Sequence, residues 1–479
     1  RIFGSEGGLE WDLEDCDRLK FNRFGEPDRV LSRGHGHGLS PSTERLVRTA
    51  RGFPEGIIEA WGNLYTEFAM AVAAQITRPD AGAPHKRRDA SRAIRRSLLN
   101  QKQNIRSEVV LLAAGGTGGH LFPASALARR MKEKGHEVHL ATDARGLTYL
   151  SQLEEMPVHK LAAATIFGDK IWLFPWNILK IIFAFVQAVH LVLRLKPSIV
   201  VGFGGYPSFA PALAAQVLRR QVLIHEQNAV LGRANRVLCG LGAHLATSFG
   251  GTRGISKSTK IRTRKVGNPV RNDVLTAARG GYRYLNASRP FELLIFGGSQ
   301  GASVFADTVP AAIGELPADL KARLRVVHQV RRTDMAKTLA AYGEISVYTE
   351  IRDFFDDLPA RMRRAHLVIC RGGASTVCEL SLLGAPAIIV PLPGSLDQDQ
   401  EHNVRELNEK GGAWMVSQTE FTTEWLSGKL NELMVNIELL NTASARSLSL
   451  ARPDADLRLC RYAMSLIKSD SSAGKEKRQ

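Results

Sequence analysis

The stretch Gly115-Gly116-Thr117-Gly118-Gly119-His120 joins a short apolar run, VVLLAA, to a helix-like run, PASALARRMKEKG. Glycines at such a junction let backbone N–H groups approach a phosphate, and the helix N-terminus favours its negative charge. A simple tight turn would use the same residues. The stretch departs from the dinucleotide fingerprint, whose third glycine would fall at Leu121, and it lacks the Lys-Ser/Thr ending of a nucleotide-hydrolase loop. His120 at its end is either a general base, with a pKa near working pH, or a histidine that packs the loop.

Two further stretches repeat this logic. Gly297-Gly298-Ser299-Gln300-Gly301 follows the apolar run FELLIF, with the Ser299 hydroxyl available to a phosphate. Arg371 to Glu379 follows HLVIC and places Gly372, Gly373, Ser375 and Thr376 at an expected helix start. Glu379, about one turn in, is placed to accept two ribose hydroxyls or to serve the helix dipole. Downstream, Asp397, Gln400 and Asn403 recur every third residue, which on a helix is one face able to grip sugar hydroxyls. Asp397-Gln398-Asp399 also matches an Asp-x-Asp metal motif; we read the match as coincidental and expect no metal. His225-Glu226-Gln227-Asn228 follows the run QVLI. Polar residues at the carboxyl end of a strand point to a cleft, or form a polar turn.

These residues need elements to hold them. From Val109 onward, short apolar runs alternate with glycine turns and helical segments, the pattern of parallel sheets covered by helices. The strand–glycine–helix signal occurs at the start of each half, so two doubly wound domains in tandem are expected, with ligands in the cleft at the carboxyl ends of their strands. The domain expectation is an N-terminal fragment over 1–76, a basic linker over 77–106, sheet domains over 107–270 and 285–448, a C-terminal helix over 449–468 and a polar tail over 469–479. The fragment shows strand-like pieces at Leu9–Trp11 and Leu19–Phe24 and an apolar helix at Gly56–Ala74. Ile171–Leu195 is long enough to span a bilayer, but Lys180, Gln187 and Arg194 draw a polar stripe along it. Three readings stand: a spanning helix, a buried core helix, and an amphipathic helix with part of its apolar face on lipid, flanked by Trp172 and Trp176.

Composition sets the bounds. With 479 residues, 44% hydrophobic and 23% charged, the chain is globular rather than disordered or fibrous. The net charge of +17 calls for an anionic partner. Nine Lys/Arg residues lie between Arg78 and Arg106, a run read as a solvated linker rather than a nucleic-acid arm. The five cysteines are too few and too irregularly spaced for a metal site or a disulfide framework, which fits a reducing compartment. No secretory signal is visible. The chain begins at Arg1, with its first Met at Met70, as expected of a fused or incomplete reading frame.

The motifs GGTGGHLFPA (115–124), VVGFGGYPS (200–208), HEQNAVLGRAN (225–235), VGNPVR (266–271), GGSQGA (297–302), the run Cys370–Glu379 and Asp397-x-x-Gln400-x-x-Asn403 stand in one order. Together, over about 108–468, the chain resembles the peripheral membrane N-acetylglucosaminyltransferases of peptidoglycan synthesis, which convert lipid I to lipid II. The resemblance implies a GT-B fold, with two Rossmann-like domains beside the N-terminal α+β fragment. It implies a metal- and cofactor-independent, inverting transfer of GlcNAc from UDP-GlcNAc to the C4 hydroxyl of undecaprenyl-diphosphate-linked muramoyl-pentapeptide. By that likeness Thr117, Gly118, Gly119, Asn228, Arg271, Ser299, Phe355, Ala374, Ser375, Thr376, Val377, Cys378, Glu379, Gln400 and Asn403 would contact the donor. Phe355 would offer backbone to the uracil and Glu379 would take the ribose. Tyr206 and the first glycine loop would face the lipid diphosphate, with His120 as base and Glu226 as the second candidate. The expected place is the cytoplasmic face of a bacterial inner membrane, on an anionic surface, without nucleic acid. Gly372 and Cys378 depart from the family pattern, which commonly has Ser at both. Residues 6–75 are similar to the C-terminal end of a glucose–fructose oxidoreductase or inositol dehydrogenase; that piece contains no cofactor-binding half, so no oxidoreductase activity is expected. Competing readings are another GT-B UDP-sugar enzyme (a glycolipid synthase or UDP-GlcNAc 2-epimerase) and a silent membrane-surface scaffold.

Overall fold

The computed structural model describes the backbone of residues 2–4, 7–11, 18–23 and 29–32, and then residues 107–162, 174–279, 290–298 and 301–476. The chain divides into two units, Arg1–Asn104 and Ile105–Gln479. In the first unit, β1 (Ile2–Gly4), β2 (Gly7–Trp11), β3 (Arg18–Arg23) and β4 (Arg29–Ser32) form an antiparallel meander. The expected strands fall within or beside β2 and β3. The expected helix at 56–74 and the basic linker lie outside the described residues.

The second unit holds two parallel sheets. The first is built from β5 (Val109–Ala113), β6 (Glu137–Thr142), β7 (Val158–Lys160), β8 (Ile199–Gly202), β9 (Gln221–Glu226), β10 (His244–Thr247) and β11 (Thr263–Lys265), in the order β11-β10-β9-β8-β5-β6-β7. The second contains β12 (Phe291–Phe296), β13 (Leu324–Gln329), β14 (Tyr348–Arg352), β15 (Leu367–Cys370), β16 (Ala387–Ile389) and β17 (Ala413–Met415), in the order β14-β13-β12-β15-β16-β17. In each sheet the first strand sits beside the fourth, so the order reverses there. A crevice opens at the carboxyl ends of those two strands. The central strands are covered on both faces, which explains runs such as VVLLA and LVIC in place of an alternating pattern.

Helices cover the sheets: α1 (Gly118–Glu133) after β5, α2 (Phe174–Leu195) before β8, α3 (Tyr206–Val217) after β8 and α4 (Arg233–Gly240) after β9. In the second half, α5 (Asn272–Ala278) packs on the helix that follows β15, α6 (Ala374–Leu383), and α7 (Asp399–Glu409) follows β16. Gly384, left-handed at φ 62°, ends α6. The chain then returns to the first half. Its last helix, α8, runs Ala455–Glu476 rather than over 449–468, and Pro453 limits its start. The helix continues into the expected polar tail.

Leu459, Cys460, Ala463 and Leu466 of α8 share a core with Val110, Leu112, Leu127 and Met131. Asp456, buried on α8, accepts from Arg130 Nε at 2.8 Å and Arg129 Nη2 at 3.2 Å on α1. Removing a buried partner strands the opposite charge. Both arginines are partly hydrated, so Asp456→Ala is expected to lower stability by about 2 kcal/mol. A shift of the urea midpoint at constant m measures it.

On α2, Ala184, Ala188, Leu191 and Val192 are buried, while Ile182, Phe183, Val186 and Leu193 are each more than half exposed. The expected polar stripe is incomplete. Lys180 and Arg194 are exposed, but Gln187 is half-buried and accepts from Ala162 N–H at 3.0 Å. The outward face is therefore apolar over Ile182, Phe183 and Val186, with Lys180, His190 and Arg194 around it. Among the described residues no helix is long and apolar enough to cross a membrane.

Candidate active site

Each sheet presents a glycine loop at its switch point. Thr117 sits at the N-cap of α1 in extended conformation without a side-chain cap, leaving the Gly118 and Gly119 N–H groups without intrahelical partners. Gly373 caps α6 in the same way and leaves the N–H groups of Ala374, Ser375 and Thr376 free of helical bonds. The two helix starts face one another: a Cβ added at Gly119 would lie 3.9 Å from Ser375 Oγ. Two positive helix ends therefore converge on one small volume, an arrangement suited to a diphosphate.

The glycine content of the first loop follows from how closely the β8 turn approaches. A Cβ at Gly115 would collide with the Pro207 ring, and one at Gly205 (φ 76°) would meet Gly115 O at 2.7 Å. Asp143, at the end of β6, ties the loop down by accepting from Gly116 N–H at 3.2 Å and Gly146 N–H at 2.9 Å. It also accepts from Arg145 Nε at 3.1 Å, which holds that exposed guanidinium over Gly116. Neither residue was singled out from the sequence. Their only mark in the sequence is Asp-x-Arg-Gly directly after a strand, which does not say which loop they meet.

His120, the third residue of α1, lies under Gly204 and Gly205, and its Nδ1 is 3.3 Å from Gln227 Oε1. Burial holds the imidazole below its usual range, so the ring is neutral at physiological pH. Glu226 is different. The residue is 3% exposed, and its two oxygens accept from Asn228 N–H, Gly232 N–H and Asn235 Nδ2 at 2.7–3.0 Å. The carboxylate closes its own loop and does not open on the cleft, which removes the geometry expected of a second base.

On the opposite wall, Glu379 is buried in α6, and burial pushes its carboxyl up to about 7 against the opposing pull of Arg271. Arg271 Nε lies 3.9 Å from Glu379 Oε1, and the guanidinium stacks on the Phe122 ring of α1 at 4.8 Å. One arginine thus touches both halves. Gln400, on α7, accepts through Oε1 from Gly372 N–H at 3.1 Å and Leu392 N–H at 3.0 Å. With its oxygen occupied, it presents amide N–H donors. Phe355 is buried under Arg361, 4.2 Å from the ring centroid, and Glu350 and Asp357 hold that guanidinium. Only the Phe355 backbone is left to a ligand. Tyr206 is 47% exposed at the start of α3.

The side chains of five residues expected at the donor are engaged elsewhere. Asn403 is 1% exposed and fully engaged: Oδ1 accepts from Ala229 N–H at 2.7 Å, and Nδ2 donates to Asn228 Oδ1 and Gly372 O, both at 3.1 Å. It fastens one half to the other, and Asn228 is its partner there. Ala374 and Val377 point into the core and offer backbone alone. Cys378 lines a cavity of about 50 Å3 with Asn268, Ser248 and Lys265, turned about 100° around α6 from Glu379. Gly372 has its own reason: a Cβ would approach Gln400 O and Val404 Cγ2 at 2.8 Å. Ser299 lies outside the described residues. Asp397, the first acid of the Asp-x-Asp pair, faces Arg233 Nη2 at 3.4 Å.

The profile of the glycosyltransferase family 28 N-terminal domain matches residues 110–244, and that of the family 28 C-terminal domain matches 292–459. A relative from Methylobacterium nodulans, named UDP-N-acetylglucosamine–N-acetylmuramyl-(pentapeptide) pyrophosphoryl-undecaprenol N-acetylglucosamine transferase, is 46% identical over 357 residues, 74% of this chain and 96% of its own. The crystal structure of Acinetobacter baumannii MurG superposes with a TM-score of 0.61 at 29% identity, covering 75% of this chain and 99% of that one. A UDP-N-acetylglucosamine 2-epimerase of Listeria monocytogenes shares the fold alone, at 13% identity and a TM-score of 0.55 over 77% of this chain and 98% of that one.

Proposed function

The chain belongs to glycosyltransferase family 28, and from that premise we propose that it transfers GlcNAc from UDP-GlcNAc to the C4 hydroxyl of undecaprenyl-diphosphate-linked muramoyl-pentapeptide, with inversion. The observation that carries the reading is the opposition of two uncapped helix starts, at Gly119 and Ser375, between a neutral histidine and a buried glutamate.

The acceptor oxygen attacks the anomeric carbon from the face opposite UDP. As the new C–O bond forms, the hydroxyl proton passes to His120, and the bond to UDP breaks with its electron pair staying on the diphosphate. The growing negative charge meets the free N–H groups of α6, already oriented before the reaction. Glu379 accepts the ribose hydroxyls, Gln400 donates to sugar oxygens, and the Phe355 backbone takes the base. Arg271 closes the donor side and Arg145, with Tyr206, the side of the acceptor diphosphate.

The apolar outer face of α2, flanked by Lys180 and Arg194, supports a peripheral position on an anionic membrane surface, where the lipid acceptor resides. Replacing Ile182, Phe183 and Val186 with serine is expected to weaken binding to anionic phospholipid vesicles about tenfold or more, leaving the KM for UDP-GlcNAc unchanged. Undiminished sedimentation with vesicles would remove α2 from the contact.

UDP release from UDP-GlcNAc, measured for the full chain with and without a lipid I analogue, tests the activity. Release that depends on the analogue is the expected result. Release without it would favour the epimerase-like reading, and no release from folded protein would favour a silent binder.

A further inference from the structure

We infer that Gln227 is a positioning residue that sets the tautomer of His120, fixing the proton on Nδ1 and leaving the Nε2 lone pair to receive the acceptor proton. The inference rests on the transferase reading only for its catalytic consequence.

Two backbone carbonyls, which can only accept, determine every proton in this chain of contacts. His225 Nε2 is 3.0 Å from Gly267 O, so Nε2 carries the hydrogen. His225 is buried and its pKa is pushed down to about 4, so the ring is neutral and Nδ1 must be an acceptor. Gln227 Nε2 lies 3.2 Å from that Nδ1 and 2.8 Å from Phe203 O, and donates one hydrogen to each. The amide is thereby turned with Oε1 toward His120 Nδ1, 3.3 Å away. An amide oxygen only accepts, so His120 Nδ1 donates.

Nothing in this arrangement depends on the cleft being occupied. Gln227 and His225 are almost inaccessible, and the only charge effect between the two rings is that of His120 on His225, which lies on β9. When the acceptor proton reaches Nε2, the resulting imidazolium carries hydrogens on both nitrogens. Gln227 Oε1 remains bonded to the Nδ1 hydrogen throughout, so the amide need not reorient during the step.

The test is nitrogen-detected NMR of histidine-labelled full-length protein, with the His120 signals assigned by their loss in His120→Ala. Wild type is expected to show Nδ1 protonated and Nε2 bare. In Gln227→Leu the signals should move toward a mixture of tautomers, with kcat at least tenfold lower and the KM for UDP-GlcNAc within twofold. In Gln227→Glu the carboxylate loses the donations to Phe203 O and His225 Nδ1 but still accepts from Nδ1–H, so the tautomer is kept, kcat lies between wild type and Leu, and the acid limb of the kcat profile moves to higher pH. Wild-type protein with hydrogen on Nε2, or a loss of kcat in Gln227→Leu with the tautomer unchanged, would overturn the inference. An Nδ1–H signal in protein that releases no UDP with the lipid I analogue would support the tautomer and overturn the transferase reading.

Discussion

His120→Ala lowers kcat for lipid I-dependent UDP release by a factor of about 100 to 10,000, the range for a lost general base, while the KM for UDP-GlcNAc stays within twofold. The split follows from position. The imidazole sits on α1 under the Gly204–Gly205 turn, whereas Glu379, Gln400 and the Phe355 backbone belong to the other half. The side chain serves the reacting oxygen and leaves the nucleotide contacts untouched. Because burial depresses the His120 pKa, its base form persists at neutral pH, and the acid limb of kcat falls below the ordinary imidazole range. A parallel rise in KM in the alanine variant would instead make His120 a donor contact.

Glu379→Gln acts on binding, and its sign can be worked through. Accepting two ribose hydroxyls requires the ionised carboxylate, whose pKa in the free protein is raised to about 7 by burial. At pH 8 roughly nine tenths of the protein is ionised and at pH 6 roughly one tenth, so donor affinity should fall about tenfold between them. Glu379→Gln should raise the KM for UDP-GlcNAc about 10- to 100-fold at pH 8, as loss of charge-assisted hydrogen bonds predicts, and should flatten this pH dependence. Stability moves the other way. A carboxyl whose folded pKa exceeds its unfolded value contributes stability below the unfolded value, near 4.5, which is lost as pH rises through about 7. The glutamine variant should therefore melt higher than wild type at pH 8, with the gain vanishing toward pH 4.5. Isothermal titration with UDP-GlcNAc and thermal melts across pH 5–8 check both halves. Equal donor affinity at pH 6 and pH 8 in wild type would detach Glu379 from the ribose.

The parts of the site that were legible in the sequence are those whose chemistry resides in residue type at a strand end. Glycine loops after VVLLAA and HLVIC, a histidine closing the first and a glutamate one turn into the second needed only the strand–turn–helix rhythm to be placed. Orientation was harder. Polar residues after β9 mark the carboxyl end of a strand, but whether each faces ligand or loop depends on partners far away. Asn403 meets Asn228 across 175 positions, and Glu226 spends its oxygens on its own loop. Cys378 was within reach of sequence reasoning, since a residue adjacent to Glu379 on a helix points about 100° away. Arg145 was not, because its role depends on β6 pairing with β5.

The return of α8 to the first half also has a consequence for the order of folding. Met131 meets Cys460 across 329 positions, and Arg130 meets Asp456 across 326. The first sheet is made well before α8 and lacks part of its cover until that helix emerges. During that interval Leu127, Met131 and their neighbours have no partner layer, and such surfaces invite aggregation. Closing so long a chain segment is slow relative to local pairing. The second half, whose elements lie close together in sequence, is therefore expected to reach its native packing first and to present α8 to a half that is still waiting. A nascent chain stopped before residue 455 should be the most protease-sensitive species along the way.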